Sequence, residues 1–335
     1  MKKISILIAV MVLGAAACSK WTEPEALEYE IPTPAQQDKE GYEAYLTALR
    51  NYKRSSHKIV MVTMPGMSEK PTKQSQHIAT APDYADYICV YNAENLHPVL
   101  VKEIAEVMKV KNTQVFCVVD YMTIEKEWDE YLRTLEEAGA EEMPTLDEFG
   151  EYCTTRTQGM LDCCDAYGFS GVVISYTGTR ANDLKQRGQD VFMECVQRWR
   201  RTHRSLQMVF RGTNLGSILE SYLSLVKEAR YIIQWTEDDY TSYVSENIRR
   251  MKDINVDIPV DRFILESSVP TFEEPDQVGK DAATAANWVV DGEDVPFTKA
   301  GLYLSTIQDD YYNSNGLYRT VRDAAFIMNP GIPEF

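Results

Sequence analysis

Histidine is scarce in this sequence, with only four among 335 residues, and they are scattered along the chain. This scarcity argues against a zinc site built on imidazole ligands. No Gly-x-Gly-x-x-Gly follows a predicted strand, which argues against a dinucleotide-binding doubly wound sheet. We therefore expect neither a metal nor a cofactor.

Basic residues are also few, since 34 Lys and Arg face 51 Asp and Glu, giving a formal net charge of −17. A chain with this balance lacks the cationic surface that phosphate binding needs, so nucleic acid is not an expected partner. The hydrophobic fraction of 44% is too high for a disordered protein. Twenty tyrosines and five tryptophans offer flat surfaces suited to sugars.

The first apolar run, Ile4 to Leu13, is too short to span a bilayer and ends in the small residues Gly14 to Ala17. With Lys2 and Lys3 before it, residues 1–17 are typical of a secretion signal. Cys18 then resembles the lipobox cysteine of bacterial lipoproteins, although Ala15 stands where leucine is usual. The resemblance implies an acylated Cys18; a plain signal peptide with an incidental cysteine is the alternative.

Residues 18–40 are rich in Pro, Glu and Gln and show no sustained apolar period. This composition predicts a flexible tether. We expect the lipid on Cys18 to anchor the protein to its membrane.

From residue 41 to 335, short β-branched runs alternate with longer amphipathic stretches, which predicts βα units around a parallel sheet. Eight such runs fit a (β/α)8 barrel. Two connections, Met122–Pro144 and Ser267–Lys299, exceed ordinary loop length. The predicted strands are Lys58–Met64, Tyr87–Tyr91, Gln114–Asp120, Gly171–Tyr176, Leu206–Phe210, Tyr231–Trp235, Arg262–Glu266 and Gly301–Thr306.

The fourth predicted strand lies within Gly168-Phe-Ser-Gly-Val-Val-Ile-Ser-Tyr-Thr177. This segment resembles the signature of glycoside hydrolase family 18, Gly-Phe-Asp-Gly-x-Asp-x-Asp-x-Glu, found in chitinases and endo-β-N-acetylglucosaminidases. The glycines and aromatics match, but the four acids are replaced by Ser170, Val173, Ser175 and Thr177. In the family the glutamic acid protonates the leaving oxygen, and the aspartate before it steers the acetamido group of the substrate.

Strand alternation places positions 173, 175 and 177 on one face, the barrel lumen. Threonine has no proton acidic enough for general acid catalysis, and losing the acid alone typically costs about 10²–10⁴-fold in rate. The resemblance therefore implies a barrel without the catalytic acids of its family. The expected partner is a glycan containing N-acetylhexosamine.

Residues at or after the predicted strand ends are candidates for ligand binding, because active sites of such barrels lie at this face. Aromatic rings can stack on sugars, and polar groups can bind hydroxyls. The candidates are Trp235, Tyr176, Glu237, Tyr91, Asp120, Tyr121, Arg211, Glu266, Gln308 and Trp288, with Met64, Asn92 and Asp310.

Two alternatives stay open. Asp120 and Glu266 end the third and seventh strands, so a relocated carboxylate pair could hydrolyse glycosides if suitably spaced. Alternatively, the barrel mouth is closed and the protein is a scaffold. By analogy, the chain resembles surface lipoproteins of glycan-foraging Bacteroidetes. This implies an outer-membrane location, on the cell surface or the periplasmic face, and a glycan transporter complex as partner.

Six cysteines follow Cys18, on predicted core strands and helix stripes. Buried free thiols explain all six, and a disulfide among them stays open. The acidic segment 291–294 lacks the spaced ligands of a calcium loop.

Overall fold

The computed structural model describes residues 34–176, 182–212, 222–234, 241–254, 257–273, 281–292 and 295–335. Two compact units are distinguished, Met1–Glu43 and Ala44–Phe335. The signal segment and Cys18 lie outside the described residues. The part of the predicted tether that is described differs from the expectation, because a short helix already begins at Pro34.

Eight parallel strands form a closed barrel in sequence order, so the predicted (β/α)8 architecture is confirmed. Each strand pairs with its neighbours in the sequence, and β8 pairs with β1 to close the sheet. The strands are β1 Ile59–Pro65, β2 Tyr87–Tyr91, β3 Gln114–Asp120, β4 Gly171–Ser175, β5 Gln207–Gly212, β6 Ile232–Gln234, β7 Phe263–Ser268 and β8 Lys299–Ser305.

Within the second unit, helices surround the barrel and cover its outer face. In chain order the described helices are α1 Pro34–Gln37, α2 Lys39–Arg54, α3 Pro98–Lys111, α4 Tyr121–Glu137, α5 Leu146–Ala166, α6 Asp183–Thr202, α7 Leu223–Glu228, α8 Thr241–Ile254, α9 Ala282–Val290 and α10 Arg319–Met328. Within the described ranges, none of them combines the length and apolar character that a membrane crossing requires.

Both of the long connections contain a helix. In the first, α4 begins directly after β3, with Asp120 as its N-cap, and buries Ile124 and Trp128 at i, i+4 spacing. In the second, α9 begins at Ala282 with Asp281 as its N-cap and buries Trp288. Within the acidic first segment, a narrow apolar stripe is enough to hold a helix against the barrel.

Alternating strand residues divide the core into two clusters. The outward-facing residues pack against the helices. The inward-facing set, which includes Met61, Phe116, Val173 and Tyr303, forms a separate cluster that fills the lumen. The four side chains are almost completely buried. The barrel interior is therefore a packed core that separates the mouth, at the carboxyl ends of the strands, from the opposite basal end.

The six cysteines between positions 89 and 195 are free and buried. Burial raises the pKa of the Cys89 thiol and of the Cys117 thiol, so both remain protonated. They pack as small apolar side chains, as the sequence interpretation suggested.

Candidate functional site

The backbone of the family signature is retained around β4. Gly168 adopts φ = 69°, a conformation that favours glycine, immediately before the strand. A Cβ on Gly171 would lie 2.1 Å from the carbonyl oxygen of Gln207, because β4 and β5 approach closely there. Phe169, which lies between the two glycines in the sequence, is buried in the outer core cluster. These residues are explained by the geometry of the strand, independently of any catalytic role.

The positions where the family carries acids have different surroundings here. The Ser170 hydroxyl contacts the Met108 sulfur at 3.0 Å, near the start of β4. Val173 packs in the lumen cluster. Ser175, the last residue of β4, is fully buried and bonds to lumen side chains. The prediction that positions 173 and 175 face the lumen is thus confirmed, while Thr177 lies outside the described residues.

Ser175 connects two strand-end charges at the mouth. Its hydroxyl donates to Asp120 Oδ1 at 2.6 Å. Arg211 Nη1 donates to the same hydroxyl oxygen at 2.9 Å. Ser175, which the sequence resemblance aligns with the family's steering aspartate, thus links an anion on β3 to a cation on β5.

Arg211 also forms a bidentate ion pair with Glu266 on β7. Its Nε and Nη2 donate to the two carboxylate oxygens of Glu266 at 2.7 and 2.9 Å. The two side chains are only 12% and 7% exposed. Burial by itself would lower the pKa of Arg211, but the Glu266 charge overcomes this effect and the pKa of Arg211 is raised. Both oxygens of Glu266 are therefore engaged by a permanently charged guanidinium.

Asp120 is engaged in a similar way. Its Oδ2 accepts hydrogen bonds from the Thr123 amide at 3.0 Å and from the Thr123 hydroxyl at 2.8 Å. The carboxylate caps the first turn of α4 while its other oxygen receives Ser175. Asp120 thus has a structural role that accounts for both of its oxygens.

Two tyrosines complete the described part of the mouth. The hydroxyls of Tyr91 and Tyr303 are 2.9 Å apart. Burial raises the pKa of Tyr91 to about 12, so its hydroxyl stays protonated at neutral pH. The Arg211 guanidinium carbon lies 6.0 Å from the centre of the Tyr303 ring. Hereafter "mouth network" means Tyr91, Asp120, Ser175, Arg211, Glu266 and Tyr303.

The structure brings four of the predicted ligand residues into the mouth network: Tyr91, Asp120, Arg211 and Glu266. Nearby, Gln308 Nε2 donates to the Thr63 carbonyl at 3.3 Å. Trp235 and Glu237 lie outside the described residues. Tyr303 on β8 was not among the predicted ligand residues. Its inward direction follows from strand alternation, since Leu302 packs outward and Tyr303 inward.

Three other predicted ligand residues are instead packing residues. Tyr121 and Tyr176 stack on each other in the layer between the barrel and the helices, with ring centres 4.9 Å apart. Trp288 on α9 packs in the same layer, 6.2 Å from the Phe297 ring. The three side chains are 0%, 3% and 7% exposed respectively, and ligand contact by them stays a prediction. Tyr176 directly follows β4, where alternation turns its ring outward, whereas Tyr121 and Trp288 lie on the helices α4 and α9.

Two of the remaining candidates are also structural. Met64 is buried in the outer layer. Asp310 is buried and accepts the Thr320 and Val321 amides at the start of α10, so it serves as a helix cap. Asn92 directly follows β2 and adopts φ = 51°.

The mouth network is internally satisfied. Among the described residues, no group of three or more His, Cys, Asp or Glu side chains is arranged to hold a metal ion. The described part of the mouth contains one small pocket of about 10 Å³ beside Tyr91 and Asp120, room for about one water molecule. At the acidic segment 291–294, Asp291 is engaged by the Lys299 ammonium.

Comparisons with solved structures show what the fold is similar to. An endo-β-N-acetylglucosaminidase from Cordyceps militaris superposes with a TM-score of 0.60 at 13% identity, covering 86% of this chain and 96% of that one. A variant of that enzyme in complex with fucosyl-N-acetylglucosamine-Asn gives a TM-score of 0.58 at 13% identity, covering 85% and 95% of the two chains. At these identities the likeness concerns the fold alone.

A Glu-to-Gln variant of the protein BT1044 superposes with a TM-score of 0.55 at 16% identity, covering 91% of this chain and 98% of that one. A comparison with curated proteins gave no significant match. The model of glycoside hydrolase family 18, BT1044-like, matches residues 22–327, which is most of the chain. With its closed barrel and the retained frame of β4, this chain belongs to glycoside hydrolase family 18, in the BT1044-like group.

Proposed function

We propose that this protein binds a glycan containing N-acetylhexosamine at the barrel mouth and does not hydrolyse it. The observation that carries the proposal is the bonding of Ser175, at the position of the family's steering aspartate, to both Asp120 and Arg211. A hydroxyl held between an anion and a cation has neither the charge nor the freedom to orient an acetamido group for attack.

The proton donor of the family reaction is also replaced, since Thr177 stands at its position. The described strand-end carboxylates do not supply a substitute. Glu266 is held by Arg211 through both oxygens, and both oxygens of Asp120 accept hydrogen bonds. A general acid must present a proton to the leaving oxygen, and neither carboxylate is positioned to do so.

Glycan binding is supported by membership of a glycoside hydrolase family and by hydrogen-bond donors and acceptors at the mouth. The Tyr91 hydroxyl oxygen, although bonded to Tyr303, can still accept a hydrogen bond, and Gln308 places an amide near the end of β1. We further propose that Trp235 and Glu237, which follow β6, contact the sugar by stacking and hydrogen bonding. In the fungal relative, a fucosyl-N-acetylglucosamine-Asn ligand is bound.

The test is calorimetry against an N-glycan and against chitooligosaccharides, beside an overnight hydrolysis assay with the same ligands. We expect binding without product. Trp235→Ala should weaken binding about tenfold, because loss of one stacking ring typically removes one to a few kcal/mol. Trp288→Phe is the matched control, since this ring packs under the helix layer and should leave affinity unchanged.

Each other outcome contradicts the proposal in a distinct way. Product formation that is lost in both Asp120→Asn and Glu266→Gln would establish hydrolysis by relocated acids. Absence of both binding and product would leave a scaffold that contacts a glycan transporter complex, the remaining alternative.

We also propose that Cys18 is acylated and holds the protein on the outer membrane, with residues 1–17 removed. The support is the sequence pattern at the amino terminus. Cys18→Ser in full-length protein expressed in a Gram-negative host should move the protein from the membrane fraction to the soluble fraction. Mass spectrometry should find a lipid on the wild-type amino terminus; an unmodified Cys18 would refute this part.

A further inference from the structure

A large cavity lies at the end of the barrel opposite the mouth. It has a volume of about 980 Å³, and the first residues of several strands line it, including Ile59, Tyr87, Gln114 and Lys299. We call it the basal cavity. A volume near 1,000 Å³ is in the range of sites that hold small molecules. This end of a barrel normally serves stability, so an open cavity of this size is unexpected.

The charge of the basal cavity opposes that of the whole protein. Among the described residues that line it, five are Lys or Arg and one, Asp86, carries a carboxylate. The chain as a whole has a net charge of −17. A concentration of cations in one concave site of an acidic protein creates a local positive potential that attracts anions.

Some of these cations have internal partners. Lys53 donates to the Ala85 carbonyl at 2.7 Å and to the Thr113 hydroxyl at 2.5 Å. Lys299 is paired with Asp291. His57 also lines the cavity, and its Nε2 lies 2.9 Å from Asp86 Oδ1. These groups build the wall of the cavity and are not offered as ligands.

Arg230 and Lys58 are different, because neither forms an ion pair with a described carboxylate. Arg230 is exposed, its guanidinium carbon lies 5.2 Å from the centre of the Tyr231 ring, and it also interacts with the Tyr87 and Tyr231 hydroxyls. The Lys58 ammonium donates to the Lys299 carbonyl at 2.7 Å. Two cations at the rim of one cavity are therefore available to an anion from solution.

The floor of the cavity is aromatic and amide-rich. The rings of Tyr87 and Tyr231 meet edge to face with centres 5.8 Å apart. The Tyr87 hydroxyl donates to Gln207 Oε1 at 3.2 Å. The buried hydroxyl of Tyr52, which also lines the cavity, makes no hydrogen bond with a described residue. Flat rings with nearby amides and hydroxyls match the faces and edges of a pyranose.

We propose that the basal cavity binds an acidic sugar, with its carboxylate between Arg230 and Lys58 and its ring over Tyr87 and Tyr231. The site is independent of the glycan proposed at the mouth. Met61, Phe116 and Tyr303 fill the lumen between the two ends, so neither ligand can reach the other. Occupancy of one end therefore leaves the affinity of the other unchanged.

The test is calorimetry with sodium glucuronate and N-acetylneuraminate at constant ionic strength, with glucose, N-acetylglucosamine and sodium phosphate as comparison probes. We expect binding of the two acidic sugars and none of the neutral ones. Arg230→Gln and Lys58→Gln should each weaken it about tenfold, because each removes one charge-assisted contact. Arg133→Gln is the control, since this arginine is 61% exposed on α4.

Three results would overturn the proposal. The first is absence of binding for both acidic sugars at millimolar concentration. The second is equal affinity in wild type and Arg230→Gln. The third is phosphate binding as tightly as glucuronate, because the aromatic floor would then contribute nothing. Binding of N-glycan at the mouth is measured on the same variants and should not change, so failure of one site is distinguishable from failure of the other.

Discussion

At the mouth of the barrel, Arg211 is held by both oxygens of Glu266, whereas at the basal end Arg230 has no carboxylate partner among the described residues. Both arginines lie near an aromatic ring, and the two sites are separated by the packed lumen. The polar groups of the mouth network bond to each other, whereas the basal cavity has cations that face solvent. Two charged sites of one protein can thus differ in whether their charges are available to a ligand.

The largest effect should come from breaking the mouth ion pair. Glu266→Gln leaves Arg211 buried with a neutral partner, and we expect the free energy of unfolding to fall by about 3 kcal/mol. Urea denaturation monitored by circular dichroism measures this loss. The double variant Arg211→Met, Glu266→Leu is the control and should recover at least half of it, because removing both charges also removes the burial cost. A loss below about 1 kcal/mol in the single variant would show that the pair is hydrated.

The next effect concerns pH at the basal end. Burial lowers the pKa of Lys53 from its ordinary 10.5 to about 8. Between these values the unfolded chain binds more protons than the folded one, so stability contributed by this group rises with pH. From pH 7 to pH 9.5 the gain is about 2 kcal/mol relative to a chain without the amine.

Lys53→Met is the comparison protein, and the measured quantity is the difference in unfolding free energy between it and wild type at the two pH values. Asp86 raises the pKa of His57, although burial opposes this shift. In both proteins His57 therefore contributes a pH dependence of stability that is opposite in sign to that of Lys53. A raised histidine pKa adds stability at low pH that is lost as pH rises through the folded pKa. A pH-independent difference between the two proteins would mean that Lys53 is solvated.

Ser175 should have a smaller effect than the ion pair that it contacts. Ser175→Ala removes the hydrogen bonds to Asp120 Oδ1 and from Arg211 Nη1. The expected loss is about 1.5 kcal/mol, because two charged groups each lose one neutral partner in a buried site. Ser245→Ala is the matched control: its hydroxyl is buried in α8 without a hydrogen bond to a described residue, so its removal should be neutral. Equal effects of the two substitutions would contradict a linking role for Ser175.

Strand order, barrel closure and the lumen positions of β4 could be predicted from the sequence, because continuous apolar runs and alternation express them directly. The same alternation would have placed Tyr176 outside, since Val173 and Ser175 face inward. We chose Tyr176 and Tyr121 as aromatic residues at strand ends, and Trp288 for its place in the long connection after the seventh strand. Proximity in sequence to a strand end does not determine which face a ring takes.

The charge arrangements at the mouth and at the basal end were harder to predict from the sequence. Arg211 and Glu266 are 55 positions apart, and no local pattern connects them. Their bidentate pairing depends on which strands lie close across the barrel. The basal cavity is built from the first residues of strands and from turns, such as Tyr87, Gln207 and Arg230, that share no motif. Such a site forms only when the barrel closes, so it can be recognised in the structure but not in the sequence.

The smallest effect on stability should come from Arg230, and this is where the comparison between the two ends is sharpest. Arg230→Gln removes an exposed cation that contacts the Tyr231 ring and the Tyr87 and Tyr231 hydroxyls but has no described carboxylate partner, a loss of about 0.5 kcal/mol. The same substitution at Arg211 strands Glu266 in a buried site and should cost several times more. Denaturation midpoints of the two variants, measured side by side at pH 7, test this directly. If Arg230→Gln were as destabilising as Arg211→Gln, the basal cations would be part of the protein's internal bonding, and their availability to an anion would be excluded.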